Sequence, residues 1–243
     1  MLDKLFLCDI IELVEERGDH MKRSVYSIIL SDDVVDAVDQ QASAQGMSRS
    51  AYINQVLANH VRYTTPEQHM QQIFSHLIAE MEKRSTAFRI AEQGSDTMLS
   101  IFGSVPYKYR PTIRYQVELI RDDQSEYLGQ LKVSCRTQSS SLIQLLQDFF
   151  TYWVELERQY NPQGVCAQGL YTISSGRLTR VLPRQDVHGL SVSGEAVGDY
   201  IHMLHTILQS YCSGIQQEIP TEILQHTIAQ QYQALLEKQT VYV

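Results

Sequence analysis

Two histidines three apart, His202 and His205, are the first residues in this chain that could do chemistry together. On a helix that spacing turns both rings to one side, where they could share a metal ion. His188 and Cys212 are the nearest further donors. A metal site needs three or four convergent ligands, so the pair is a weak metal candidate beside the plainer reading of two ordinary helical histidines. A second group is Tyr107-Lys108-Tyr109-Arg110-Pro111-Thr112-Ile113-Arg114-Tyr115, with cations and tyrosines and no acid. Basic and aromatic groups together bind a nucleic-acid strand or an anionic ligand. A loop and strand edge with solvated charges and packed rings gives the same pattern. Arg177, Arg180 and Arg184 form a second basic set that allows the same two readings. GxSxG, P-loop, HExxH and GxGxxG motifs are absent, so the chain reads as a non-enzyme that calls for no cofactor.

Composition narrows the setting. A chain of 243 residues suffices for a small module and one sizeable domain. With a formal net charge of −8, any nucleic-acid contact must be a local patch, not a global field. No run of about 18 apolar residues exists, so no membrane span is expected. Cys8, Cys135, Cys166 and Cys212 are scattered without a CxxC pair, which favours reduced thiols and a cytoplasmic location. In residues 1–20, Leu2, Leu5, Phe6, Ile10, Leu13 and Val14 suggest an amphipathic helix. That stretch lacks a small-residue cleavage site and is acidic at its end, unlike a signal peptide. Both a translation start at Met21 and an extra helix packed on a dimer remain open.

The elements that must position the candidate groups follow from periodicity. Thr65-Pro66-Glu67-Gln68 is a helix start, and Met70, Ile73, Phe74, Leu77, Ile78 and Met81 form its apolar stripe. The helix is expected to run to about Ala91, its stripe serving as dimer seam or as core. A second domain is expected from about Thr97. Ile113, Tyr115, Val117 and Leu119 alternate with Thr112, Arg114, Gln116 and Glu118, the pattern of a strand with one wet face. Tyr127 to Cys135 alternates again and completes a hairpin. Leu142 to Leu156 gives a long helix, residues 165–182 a second hairpin around Ser174-Ser175-Gly176, and two helices follow from Glu195 and Thr221. This order predicts an antiparallel sheet with helices on one face.

The stretch from Arg23 to Val61 is the most informative. Val25 to Leu30 is β-branched and aromatic, which suits a strand. Ser31 fits an N-cap, with Asp32 and Asp33 opposing the positive end of the helix dipole. Gly46 fits the position just past the helix end, and Ser48 is the next cap. Leu30-Ser31, the Gly46 break and Met47-Ser48-Arg49-Ser50-Ala51 resemble the ribbon-helix-helix family of DNA-binding proteins over about residues 22–62. The resemblance implies that two chains pair these strands into a ribbon that enters the major groove. It places Tyr26, Ile28 and Leu30 in the core and Val25, Ser27 and Ile29 against the bases. It also places Ser48, Arg49 and Ser50 on a backbone phosphate through free N–H groups, with Lys22 and Arg23 on nearby phosphates or base edges. The reading face departs from the family: Val25 and Ile29 can only meet thymine methyls, and Ser27 can make one hydrogen bond. Recognition would then lean on A·T contacts, DNA shape and phosphates.

The expected organisation is α+β: an N-terminal helix over 1–20, a ribbon-helix-helix dimerisation module over 21–63, a linker helix over 64–96, and a C-terminal antiparallel sheet with packed helices over 97–243. The expected function is that of a prokaryotic-type, dimeric, sequence-specific transcriptional regulator on a pseudo-palindromic duplex site. Its C-terminal domain would serve oligomerisation or the sensing of a small-molecule or protein effector. The alternatives are an interaction scaffold in which the module is only a dimer clamp, and a plasmid transfer or partition accessory protein.

Overall fold

The computed structural model describes residues 26–84, 86–92, 94–121, 125–160, 171–185 and 191–237. These residues form six helices and one six-stranded antiparallel sheet, an α+β architecture. Two short helices come first, α1 (Asp32–Ala44) and α2 (Arg49–His60). Ser31 occupies the first N-cap position, though its hydroxyl makes no cap bond; Ser48 caps α2 by accepting from the Ala51 N–H at 3.3 Å. Gly46, at φ +65°, takes the left-handed conformation the α1–α2 junction requires.

Helix α3 (Pro66–Glu82) starts on a complete capping box: Gln68 N–H donates to Thr65 Oγ1, and Thr65 N–H donates to Gln68 Oε1. Its stripe of Met70, Ile73, Phe74, Leu77 and Met81 is fully buried in the main core. The stripe is therefore core, not a dimer seam. α3 packs on α5 (Gly194–Gln216) because two glycines let the backbones approach. A Cβ on Gly194 would stand 2.0 Å from the Ile73 carbonyl oxygen, and one on Gly198 would stand 3.1 Å from Glu80 Cγ.

The expected continuation of α3 to Ala91 is corrected: the helix ends at Glu82 and Phe88–Ile90 is strand β1. Its pairing with Ile101–Gly103 and the burial of Phe88 outweigh the local helical pattern. Strand β2 (Met98–Ser104), which periodicity alone does not reveal, pairs with β3 (Thr112–Leu119). The hairpin of β3 and β4 (Tyr127–Cys135) is as expected, with Ile113 opposite Cys135 and Leu119 opposite Gly129. Strands β5 (Tyr171–Ser174) and β6 (Arg177–Pro183) form the second hairpin. Ser175 (φ 51°) and Gly176 (φ 68°) supply the two positive φ angles of its tight turn. The strand order is β1-β2-β3-β4-β6-β5.

One face of the sheet lies under α4 (Ser140–Tyr160), α5 and α6 (Thr221–Leu236), where Ile113, Tyr115, Val117, Phe149, Phe150, Trp153, Leu204 and Ile228 are completely buried. The other face carries Ser100, Arg114, Gln116, Glu118 and Lys132, tied together by Arg114–Ser100 and Lys132–Glu118 contacts. No helix among the described residues is long and apolar enough to cross a membrane.

Candidate nucleic-acid interface

The α1–α2 module buries almost nothing. Ala42 and Ala58 are its buried apolar residues, whereas Val34, Val56, Leu57, Val61 and Tyr63 stay exposed. Immediately before it, residues 26–30 belong to no helix or strand. Tyr26, Ile28 and Leu30 are exposed, and Ile29 is 100 % exposed. Of the residues expected to meet DNA, Lys22, Arg23 and Val25 lie outside the described residues, and Ser27 is exposed.

Ser48, Arg49 and Ser50 open α2. The Ser48 hydroxyl is engaged by Ala51, and the N–H groups of Arg49 and Ser50 make no hydrogen bond among the described residues. The Arg49 side chain turns back to α1, where Nε and Nη2 donate to the two carboxylate oxygens of Asp39. This bond holds the Asp39 carboxyl below its usual range. Both partners are exposed, so a phosphate arriving at α2 could exchange with Asp39 at little cost.

The two histidines differ in burial and partners. His205 is a core residue, 1 % exposed, with Nδ1 2.9 Å from the Tyr115 hydroxyl and its ring 4.7 Å from that of Phe88. It lies over Gly103, where a Cβ would stand 2.6 Å from His205 Cε1. Burial pushes its pKa down to about 4, so the ring is neutral. His202 is half-buried, its ring 6.3 Å from that of Phe88, and its pKa is lowered by burial and then by the nearby Arg84 guanidinium. Cys212 is fully buried, its thiol pushed up to about 12 by desolvation, and His188 lies outside the described residues. Among the described residues no three His, Cys, Asp or Glu side chains converge to hold a metal.

The basic segments separate into different fates. Tyr115 and Arg180 are buried, which corrects the reading of Arg180 as a solvated charge. Arg180 Nε donates to Tyr171 Oη at 2.7 Å, its Nη2 lies 3.9 Å from Glu157, and its guanidinium sits 4.2 Å over the Tyr200 ring. Tyr200 in turn accepts from Trp153 Nε1 at 2.9 Å. This chain of contacts locks α4, α5 and the β5–β6 hairpin together, and the partners satisfy a charge that could not be buried alone. Arg184 Nε donates to the Ser125 carbonyl at 2.8 Å. Lys108, Arg110 and Arg114 instead converge with Arg136 and Arg177 around one basin. Arg136 carried no sequence signal of its own; only the β3–β4 register, ending at Ile113–Cys135, places it beside the start of β3.

No family model, curated protein or solved structure matches this chain.

Proposed function

We propose that two copies of this protein pair residues 25–30 into an antiparallel ribbon and insert it in the major groove of a pseudo-palindromic DNA site, as a transcriptional regulator of the ribbon-helix-helix type. The observation that supports this most is the bare apolar surface of residues 26–63. Tyr26, Ile28, Leu30, Val34, Val56 and Leu57 lie exposed on a module whose backbone punctuation at Ser31, Gly46 and Ser48 is well defined. A second copy covers such a surface and supplies the missing strand. Lys22, Arg23 and the free N–H groups at the start of α2 then meet phosphates, and Ile29 with Val25 meets thymine methyls.

The test is selection of duplexes from a random pool at low salt, with the Lys22→Ala/Arg23→Ala/Arg49→Ala triple variant as control. A palindromic motif that is lost in the variant, with binding that weakens steeply as salt is added, is the expected result. A folded dimer that enriches nothing would leave the second reading, a dimer clamp whose fully exposed Ile29 docks protein instead of DNA.

A further inference from the structure

Charge is distributed unevenly in this protein. The chain carries a net −8, yet Lys108, Arg110, Arg114, Arg136 and Arg177 surround one basin of about 900 Å³, and no carboxylate lines it among the described residues. The basin lies between the loop joining β2 to β3, the segment leading from β4 to α4, and the start of β6. Strand register explains the convergence. Arg114 faces Phe102 on β2 and Ser134 on β4, and Arg177 begins β6 just past the Leu178–Val133 pair.

Several cations elsewhere are neutralised by carboxylates. Arg49 pairs with Asp39, Lys83 and Arg84 with Glu80, Arg84 also with Asp199, and Lys132 with Glu118. Lys132 is on the same face as Arg114, one cross-strand row away, and is matched by its own acid. None of the five basin cations pairs with a carboxylate among the described residues. Arg114 is held by hydrogen bonds from Nε (3.2 Å) and Nη2 (3.0 Å) to Ser100 Oγ, which orient the group without discharging it. Like charges around one concavity repel, and an entering anion relieves that repulsion.

The loop adds a second, independent observation. Tyr109 (φ 65°) and Arg110 (φ 45°) both occupy the left-handed region, in a turn closed by Arg110 N–H to the Tyr107 carbonyl at 2.8 Å. Glycine would adopt these angles without strain. Strain of this kind clusters at ligand clamps. What it presents here is a cation and a tyrosine ring that is fully exposed at the rim of the basin.

We propose that this basin binds a nucleoside polyphosphate, its phosphates held by Arg110, Arg114 and Arg177 and its base stacked on Tyr109. The volume suits a compact ligand, and the cations converge on one concavity instead of tracking along the sheet as a strand-binding groove would. The inference does not depend on residues 25–30 reading DNA.

Titration calorimetry on the full-length protein, at low salt, tests it with four probes: a nucleoside triphosphate, inorganic triphosphate, inorganic phosphate and a 12-nucleotide single strand. The nucleoside triphosphate should bind tightest. Arg110→Ala/Arg177→Ala, both exposed positions, should weaken it at least about tenfold, the scale expected for losing hydrogen bonds to a charged group, while Lys83→Ala leaves it unchanged. Tyr109→Phe should retain binding and Tyr109→Ala should lower it to the level of inorganic triphosphate. No binding, or binding indifferent to the double variant, overturns the site. Equal affinity for inorganic triphosphate overturns the nucleoside part, and tighter binding of the single strand that is lost in the double variant replaces the nucleotide with a nucleic-acid strand. Single-strand binding that survives the double variant belongs to another surface and leaves the nucleotide result to decide.

Discussion

Acidification should destabilise this fold in part through His205, and the size of that part follows from where the residue sits. His205 is enclosed by Phe88, Tyr115 and Gly103, and its pKa is depressed from the usual 6.5 to about 4. In the unfolded chain the same imidazole regains its ordinary pKa. Above 6.5 the ring is neutral in both states and its titration costs nothing. Between 6.5 and about 4 the unfolded state binds a proton that the folded state does not, so stability falls as pH falls. Below the folded value the loss is complete. Weighting the two titrations gives about 2.5 kcal/mol lost between about pH 7.5 and about pH 4.5.

Other groups titrate in the same range. His69 and His202 also have lowered values and act in the same direction; Glu80 and Glu118, lowered by their ion pairs, lose theirs at still lower pH. The measurement is therefore a difference of differences: urea unfolding of the native protein and of His205→Asn at both pH values. The variant is expected to be less stable at neutral pH, because Tyr115 loses a partner, yet to lose about 2.5 kcal/mol less on acidification. His202→Gln, half-buried and outside this hydrogen bond, should retain most of the native pH slope. Equal slopes in the native protein and His205→Asn would refute the assignment of His205 as a neutral core residue.

Two further outcomes are expected. Ile28 is 59 % exposed in the single chain, so covering it in a dimer contributes about 1 kcal/mol per copy, and Ile28→Ala should weaken dimerisation roughly 30-fold without lowering the unfolding midpoint of the sheet, by sedimentation and circular dichroism respectively. Gly129→Ala would drive a Cβ to 2.0 Å from the Glu118 carbonyl oxygen, and since backbone has to yield, it should cost about 1–3 kcal/mol in urea unfolding; an unchanged midpoint would show that the β3–β4 ladder has slack there.

The elements legible in the sequence were those whose two faces differ in wetness. β3 is read correctly because Ile113, Tyr115 and Val117 meet helices while Arg114, Gln116 and Glu118 face outward. β2 was hidden because Leu99, Ser100 and Ile101 are buried in succession; Ser100 accepts from Arg114, which lies across it, and the alternation vanishes. The end of α3 carried no glycine or proline to announce it, and its stop is set by a strand pairing that local pattern does not contain. Arg180 looked like a surface charge because its partner Glu157 is on another element, and a buried ion pair is a tertiary fact. The basin is similar: Lys108, Arg110 and Arg114, three of its five cations, are conspicuous as a local basic run, but Arg136 and Arg177 join them only through the order β3-β4-β6.

The same physics bears on the unpaired segment before α1. A sheet edge left open invites other strands, and proteins blunt it by keeping edge strands short or charged. This chain does so within its own sheet: β1 is three residues long with Arg89 at its centre, and β5 as described spans four. Residues 26–30 are treated in the opposite way. They combine β-branched and aromatic side chains, no charge and exposed positions, next to two helices with exposed apolar residues of their own. Under the proposed reading, a second copy would pair with this segment and cover it. That is why dimer formation through Ile28, and not DNA binding, is the step on which the proposed regulator stands or falls first.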